Sequence, residues 1–141
     1  MHDNFADWIL FHYIKRIKKA IGEQRFPVRY KALNKQYKES KRAKGRHTGF
    51  WISSGFLADN IIRWQDRDGT WNIGFADNEK HPDNNQSVLM IAQTNEYGSK
   101  DGRIPARPLF RPIAKIMSKS ISRFFIEFLK QERPDLYTIV K

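Results

Sequence analysis

Four histidines and a small number of carboxylates are the groups in this chain that could perform acid–base or metal chemistry. His2, His12, His47 and His81 lie in unrelated contexts, and their spacing does not match that of metal ligands. The chain contains no cysteine, which excludes disulfides and thiolate metal sites and is compatible with a reducing cytosol. The histidines therefore predict no metal centre.

Two acidic motifs resemble fragments of known metal sites, but neither is complete. The sequence Asp66-Arg67-Asp68-Gly69 begins like a calcium loop, yet the later ligands and the terminal glutamate are missing, so Asp68-Gly69 is better explained as a hairpin turn. The pair Pro82-Asp83 lacks the following Glu-x-Lys of a metal-dependent nuclease, and Glu39-Ser40-Lys41 precedes it inside a predicted helix. No glycine-rich phosphate loop is present. We predict no catalytic residue, metal or cofactor; a nuclease or toxin-like enzyme is the third-ranked alternative.

The positive charge of the chain indicates an acidic partner. The formal net charge is +11 and the isoelectric point is about 10.0, which suits a nucleic acid or an acidic protein surface, although a solvated basic surface would look the same. The most basic segment is a predicted helix and loop over residues 28–48. The predicted basic surface consists of Arg29, Lys35, Lys38, Lys41, Arg42, Lys44 and Arg46.

Arginine 107 is the cation whose backbone is most restrained by its neighbours. Pro105 and Pro108 fix φ at two positions and push the residues before them out of the α region. Gly98 and Gly102 bracket a polar loop immediately before these prolines. We predict that residues 98–108, here called the strap, are stiff and extended and present the Arg107 side chain.

The remaining patterns predict one α+β domain over the 141 residues. A small antiparallel sheet, formed by a β-hairpin, packs against an N-terminal helix and a long C-terminal helix, with the helices mainly on one side. The predicted elements are an N-terminal helix (4–22), the basic helix and loop (28–48), a hairpin (60–76), a short helix (87–97), the strap (98–108) and a long helix (109–132).

Four expectations concern individual elements. The hairpin strands should span 61–65 and 70–76, each with one tryptophan. The long helix should carry an apolar stripe whose members other than Phe125 are largely buried, by the core or by a neighbouring subunit. The tail 137–140 has the composition of an edge strand. The amphipathic, basic N-terminal helix should dock on the core. The alternative is that this helix lies on a membrane or on a partner protein. No apolar run in the sequence is long enough to span a membrane. The stripe comprises Phe110, Ile113, Met117, Ile121, Phe124, Phe125 and Phe128.

Three motifs lie between residues 27 and 120: a Tyr…Lys…Gly segment, a Gly-x-Leu turn followed by an apolar residue, and a closing Pro-Ala-Arg-Pro preceded by a glycine. Their residues are Tyr37, Lys41 and Gly45; Gly55-Phe56-Leu57 with Ile61; and Glu96-Tyr97-Gly98 with Ile104-Pro105-Ala106-Arg107-Pro108-Leu109-Phe110. Through these motifs the chain resembles the tail-completion and virion-morphogenesis families of tailed bacteriophages. Leu109-Phe110 replaces the more usual Phe-Leu of these families, and the N-terminal and phenylalanine-rich C-terminal helices lie outside the motifs.

The resemblance implies a non-enzymatic structural protein of the virion tail or neck, made in the host bacterial cytoplasm. Members of these families assemble as rings, commonly hexameric, beside tail-tube or neck proteins. A stiff strap with a protruding arginine would suit a subunit contact. The predicted assembly interface is Gly98, Ile104, Pro105, Ala106, Arg107, Pro108 and Phe110.

Two alternatives remain open at this stage. The strap could be a plain connection to the long helix, with Arg107 paired to a carboxylate of its own domain. The protein could also be a monomeric nucleic-acid-binding protein that uses the basic segment from Arg25 to Arg46. The aromatic residues of that segment are spaced as on a helix face and no helix-turn-helix is evident, so we expect nucleic-acid binding to be non-specific at most, and no membrane partner.

Overall fold

The computed structural model describes residue 2 and residues 4–46, 49–51, 55–76, 80–81 and 85–140. Within these ranges the fold is α+β, as the sequence predicts: a two-stranded antiparallel sheet accompanied by helices. The elements in chain order are α1 (Phe5–Glu23), α2 (Lys35–Ala43), α3 (Phe56–Asp59), β1 (Ile62–Gln65), β2 (Trp71–Gly74), α4 (Val88–Tyr97), α5 (Phe110–Ser118), α6 (Ile121–Glu132) and α7 (Pro134–Val140).

Helix α1 is the element against which most of the core packs. The side chain of Asn4 caps its first turn by accepting a hydrogen bond from the N–H of Asp7. Its apolar face includes Ile14, Ile17 and Ile21, which are buried, and Ile17 is fully so. The predicted docking of this helix on the core is therefore confirmed. The residues that pack with it come from every later part of the chain: Trp51, Ile61, Phe75, Val88, Ala92, Leu109, Ile113 and Met117.

The predicted hairpin is present, with a tryptophan on each strand. Strands β1 and β2 pair in the register that places Arg63 opposite Ile73 and Gln65 opposite Trp71. Gly69 has a φ of +87°, the conformation that glycine adopts most readily, and its N–H bonds the carbonyl of Asp66 at 3.0 Å. The Asp68-Gly69 motif thus forms a turn, as its sequence indicates.

The prediction of one long helix over 109–132 is wrong in one respect, because the observed segment is divided into α5 and α6. The break lies at Lys119 and Ser120, where Ser120 leaves the helical region with φ −115° and ψ 22°. The hydroxyl of Ser118 also bonds the carbonyl of Lys115 at 2.9 Å, a local bond that competes with the helix ladder. The break lets α5 join the main core while α6 forms a second cluster with the start of α1.

The predicted apolar stripe is only partly buried as a result. Ile113, Met117 and Phe128 are buried, and Phe110 and Phe124 are half-buried. Ile121 and Phe125 are instead exposed by 44% and 43%. Within the single subunit Ile121 is therefore not covered by the core, and its burial by a neighbouring subunit stays a prediction.

Two further boundaries differ from the sequence-based expectation. The basic helix does not begin near residue 28: α2 begins at Lys35, where the side chain of Asn34 caps it by accepting from the N–H groups of Gln36 and Tyr37. The tail is helical, not a strand, because Pro134 occupies the first position of α7, a position where its missing N–H costs nothing. The predicted loop after α2 extends to residues 47–48, which lie outside the described residues.

Candidate assembly interface

The strap begins with a tight turn that requires glycine at position 98. Gly98 has a φ of +82°, and a Cβ on this residue would lie 2.9 Å from the carbonyl oxygen of Ile104 and 3.0 Å from the N–H of Ala106. The N–H of Ser99 bonds the carbonyl of Ile104 at 2.9 Å, and the hydroxyl of Ser99 accepts the N–H of the same residue. The turn therefore closes on itself, and the chain passes against the α carbon of Gly98.

Aromatic side chains from the first 51 residues hold the inner side of the strap and the start of α5. The indole N–H of Trp51 donates to the carbonyl of Arg107 at 3.0 Å, and the hydroxyl of Tyr30 donates to that of Pro108 at 2.7 Å. The hydroxyl of Tyr13 donates to the carbonyl of Phe110. Burial raises the pKa of both tyrosines, so they remain donors at physiological pH. Three backbone carbonyls within four residues are thus fixed to the core.

The side chain of Arg107 points inward, which corrects the prediction of a protruding arginine. It is 6% exposed, and its Nε and Nη2 donate to the carbonyls of Lys31 and Ala32 at 3.1 and 3.4 Å. Its guanidinium carbon lies 5.2 Å from the centre of the Phe50 ring. Burial lowers the pKa of Arg107. Arg107 therefore serves its own domain, through backbone carbonyls and not through a carboxylate.

This arginine also holds the segment that precedes α2. The carbonyls of Lys31 and Ala32 accept hydrogen bonds from the Arg107 side chain. The segment before Asn34 therefore lies against the strap. The strap and residues 31–32 form one hydrogen-bonded layer.

Glu96 is the buried acid of this region, and it caps α5 from the end of α4. Its side chain is 6% exposed, and its carboxylate accepts the N–H groups of Leu109, Phe110 and Arg111 at 2.8, 3.0 and 3.1 Å. Leu109 occupies the N-cap position of α5 without a capping side chain of its own. The negative charge of Glu96 therefore lies where unsatisfied N–H groups and the helix dipole favour it.

The outer side of the same region exposes apolar side chains. Ile104, in the strap, is 44% exposed, and Ala106 is also exposed. On α4, Met90 and Tyr97 are 65% and 62% exposed and lie two turns apart on one helix face. We call Met90, Tyr97, Ile104 and Ala106 the strap surface. Of the predicted interface residues, Ile104 and Ala106 lie on it, Pro105, Pro108 and Phe110 are half-buried, and Gly98 supports the turn beneath it.

The predicted basic surface lies mostly on α2 and its flanks. Arg29, Lys35, Lys38, Arg42 and Lys44 are exposed, and Arg46 is half-buried. Lys41 is the exception: it is 7% exposed, and its ammonium donates to the carbonyl of Gly49 at 3.1 Å. Burial, with a smaller effect from the charge of Arg107, lowers the pKa of Lys41. Lys41 is therefore part of the interior beneath the basic surface.

Sequence reasoning missed the residues that hold the strap in place. Glu96 stands 13 residues before its first backbone partner, and Tyr13, Tyr30 and Trp51 are between 56 and 97 residues from theirs. No periodicity links positions so far apart. The available signal was chemical: an acid close to a helix start that lacks a capping residue.

The described part of the chain contains neither a cluster of metal ligands nor a membrane-spanning helix. Among the described residues there is no group of three or more histidines or acids placed to hold a metal ion. None of the helices described is both long enough and apolar enough to cross a bilayer.

Comparison with known proteins identifies one relative. Over 112 residues the chain is 29% identical to the uncharacterized protein MJ0331 of Methanocaldococcus jannaschii, an alignment that covers 79% of this chain and 76% of that protein. No family model matches the chain, and no solved structure matches it significantly. The relative carries no functional description, so the resemblance to phage families stays a prediction.

Proposed function

We propose that this protein is a structural subunit of a phage or prophage virion, acting in tail completion or head–tail joining by assembling into a ring. The observation that carries the proposal is the two-sided construction of the strap. Its inner side is fixed by Trp51, Tyr30 and the Arg107 side chain, while its outer side exposes Ile104. Of the motif Ile104–Phe110, on which the phage resemblance rests, Ile104 and Ala106 lie on this surface, and the buried Arg107 and Leu109 support it from beneath.

A rigid, exposed apolar surface favours association. Ordering a flexible loop at an interface costs conformational entropy, and a strap already fixed in the free subunit avoids that cost. Isolated exposed apolar residues are ordinary on protein surfaces. Here Tyr97 and Ile104 flank one turn, and Met90 lies two helical turns before Tyr97 on α4. Three large exposed apolar side chains in this part of the chain suit an interaction patch.

The distribution of charge along the chain supports head-to-tail contacts. Residues 59–83 carry six acidic and three basic residues, whereas the rest of the chain carries nine acidic and 23 basic residues. A ring needs one face of a subunit to meet a different face of its neighbour. A net acidic segment and a basic remainder of the sequence are compatible with such a contact. Three of the six acids, Asp77, Glu79 and Asp83, lie outside the residues that the structure describes. The hexameric state is taken from the family resemblance alone.

The remaining parts of the proposal follow from the same resemblance. The subunit would lie in the tail or neck of the virion, against tail-tube or neck proteins, after synthesis in the host cytoplasm. It would act without a cofactor. Its basic α2 surface would contact nucleic acid, if at all, through phosphates and without sequence preference.

Sedimentation velocity tests the proposal directly. The wild-type protein should sediment as an oligomer of the 16.7 kDa chain, and Ile104→Asp should shift it to monomers without loss of helical circular dichroism. Leu136→Asp is the matched control, since Leu136 is also an exposed apolar residue but lies on α7. Ring-shaped particles in electron micrographs would identify closed assembly. A wild-type monomer at about 100 μM, well above ordinary micromolar affinities, would contradict self-assembly.

A monomeric nucleic-acid-binding protein is the second candidate. The observation in its favour is that Arg29, Lys35, Lys38, Arg42 and Lys44 are all exposed on or beside one helix. High-affinity binding to duplex DNA at physiological salt, by a protein that sediments as a monomer, would favour this candidate over the ring.

A further inference from the structure

A shallow apolar cleft lies between the start of α1 and the first turns of α6. It has a volume of about 410 Å³ and is lined by Phe5, Ile121, Ser122, Phe125 and Ile126. Ile121, Phe125 and Ile126 are each more than two-fifths exposed. The floor is firm, because the Phe5 ring packs edge-on against Phe125 at 5.2 Å and against Phe128 at 5.7 Å.

One more apolar side chain is exposed on the preceding helix. Ile116, on α5, is 47% exposed. Ile116, Ile121 and Phe125 are spaced by five and four residues, with the break at Ser120 between the first two. A shallow cleft lined by exposed apolar side chains is the form of groove that binds an amphipathic helix.

A row of basic residues runs along the same helices. Arg111, Lys115, Lys119 and Arg123 recur every four residues, and no acidic residue occurs between Phe110 and Ile126. Lys115, Lys119 and Arg123 are exposed, and none of the three forms an ion pair with another described residue. The acids that follow on α6 are engaged locally, with Glu127 near Lys130 at 3.7 Å and Glu132 accepting the N–H of His2.

We propose that this cleft binds an acidic amphipathic helix of a partner protein. The partner's apolar face would cover Ile121, Phe125 and Ile126, and its carboxylates would pair with Lys115, Lys119 and Arg123. The cleft is separate from the strap surface in sequence and in its supporting helices. The inference therefore does not depend on ring assembly.

The chemistry of the cleft distinguishes this occupant from the other candidates. A second copy bound by the same face would bring two basic rows together, which is unfavourable. A lipid bilayer requires apolar side chains that project from a convex surface, whereas these line a concavity. A nucleic acid would match the basic row but leave the apolar side chains uncovered. An acidic helix satisfies both features at once.

The test uses a synthetic peptide of known composition. A fluorescein-labelled helix of about 18 residues, with leucines on one face at helical spacing and glutamates on its flanks, is titrated with the full-length protein. Two control peptides carry the same glutamates with serine for leucine, or the same leucines with glutamine for glutamate. Fluorescence anisotropy should show binding by the first peptide only, weakening as salt rises.

Variants then locate the binding site. Ile126→Asp should raise the dissociation constant by about tenfold or more, as should the double charge reversal Lys119→Glu/Arg123→Glu. The matched controls are Met90→Asp, on the strap surface, and Lys35→Glu/Lys38→Glu, on α2. Both should leave peptide affinity unchanged. Circular dichroism checks that each variant is folded. Because the charge reversal changes only exposed side chains, the Lys119→Glu/Arg123→Glu variant remains informative if Ile126→Asp unfolds.

Three results would overturn the inference. One is equal binding of the amphipathic peptide and the serine control, which would mean that charge alone is responsible. Another is loss of self-association in Ile126→Asp, by sedimentation, which would assign the cleft to a second copy. The third is binding to vesicles of phosphatidylglycerol that these same variants abolish, which would assign it to a membrane. Failure of ring assembly with intact peptide binding would contradict only the proposed function.

Discussion

Arg111 binds Glu96 with both its main chain and its side chain. Its backbone N–H lies 3.1 Å from one carboxylate oxygen, and its Nε lies 3.2 Å from the same oxygen. Its guanidinium carbon also lies 4.4 Å from the centre of the Tyr97 ring. One arginine thus links the last turn of α4 to the first turn of α5, and the strap is the chain that connects these two fixed ends.

Replacing Glu96 tests this link. Glu96→Gln keeps the shape but removes the charge that the N–H groups of α5 favour, and we expect the free energy of unfolding to fall by about 1–3 kcal/mol. Chemical denaturation monitored by circular dichroism measures the loss. Glu127→Gln is the control, since Glu127 forms a partly exposed pair with Lys130 and should change stability by less than about 0.5 kcal/mol. Equal effects of the two changes would mean that the cap does not stabilise the fold.

Gly98 and Gly102 offer a matched pair in the strap. Both have positive φ, +82° and +75°, but a Cβ would meet Ile104 and Ala106 only at Gly98. Gly102→Ala should cost about 1–2 kcal/mol for the left-handed conformation alone. Gly98→Ala should cost clearly more, because the backbone must also move. Denaturant midpoints of the two variants measure the two losses of stability. A smaller loss for Gly98→Ala than for Gly102→Ala would contradict the close approach of the Ile104 and Ala106 backbone to Gly98.

Substitution of Arg107 should destabilise the single subunit. Substitution of a protruding arginine would instead weaken assembly and leave the subunit folded. Arg107→Ala leaves the carbonyls of Lys31 and Ala32 without their donor and should cost about 2–4 kcal/mol. Arg107→Lys should recover little of this, because one ammonium does not reproduce a planar fork. Arg103→Ala, in the same strap with its side chain 88% exposed, is the control and should be near neutral. Unchanged melting of Arg107→Ala would refute the inward assignment.

Asp7 should contribute a pH-dependent part of the stability. Burial, the largest single influence, raises the pKa of Asp7, but hydrogen bonds and charges from Arg63 and His2 together outweigh it and lower the pKa. The folded state therefore releases the proton more readily than the unfolded chain, whose pKa is about 3.9. The contribution is present above that value and is lost as the pH falls through the folded pKa.

The comparison of wild type with Asp7→Asn isolates this contribution. The difference in unfolding free energy between them should shrink as the pH falls below about 4, and it should level off only below the folded pKa, where Asp7 is protonated in both states. Urea titrations at a series of pH values measure it. A difference that is constant across this range would show that the carboxylate charge is not involved.

The α2 surface should bind DNA weakly and without sequence preference. We expect a dissociation constant of about 1–100 μM for any short duplex at physiological salt, falling at lower salt and rising steeply with added salt. Lys35→Glu/Lys38→Glu/Arg42→Glu should weaken binding more than Lys15→Glu/Lys18→Glu/Lys19→Glu, which changes the net charge equally but on α1. Fluorescence anisotropy with two unrelated duplexes measures both effects. Preference for one duplex at physiological salt would favour the nucleic-acid alternative.

The sequence predicts the parts of the fold that depend on neighbouring residues. The hairpin follows from Asp68-Gly69 and the alternation around Trp71, and α1 follows from the helical recurrence of Trp8, Ile17 and Ile21. The phenylalanine-rich stripe suggests a single helix because helical spacing continues across Ser118–Ser120. Only the different packing partners of α5 and α6 reveal the break.

For the candidate interface, the sequence predicts which segment forms the strap, but it does not predict the side-chain contacts that hold the strap in place. The positive φ of Gly98 and the extended path around Pro105 follow from local chemistry. The direction of Arg107 does not, since its acceptors are backbone carbonyls at Lys31 and Ala32 that any sequence would provide. The role of Glu96 likewise depends on tertiary structure, because its partners belong to another helix.

The long-range hydrogen bonds to the strap also constrain when the chain can fold. Phe110 and Pro108 bond to Tyr13 and Tyr30 across 97 and 78 positions, so these contacts form only after the strap has been made. A nascent chain that ends before Gly98 has the apolar face of α1 without Leu109, Ile113 or Met117 to cover it. Folding of this protein during translation is therefore completed late, and the unfinished chain is the species most exposed to aggregation and proteolysis.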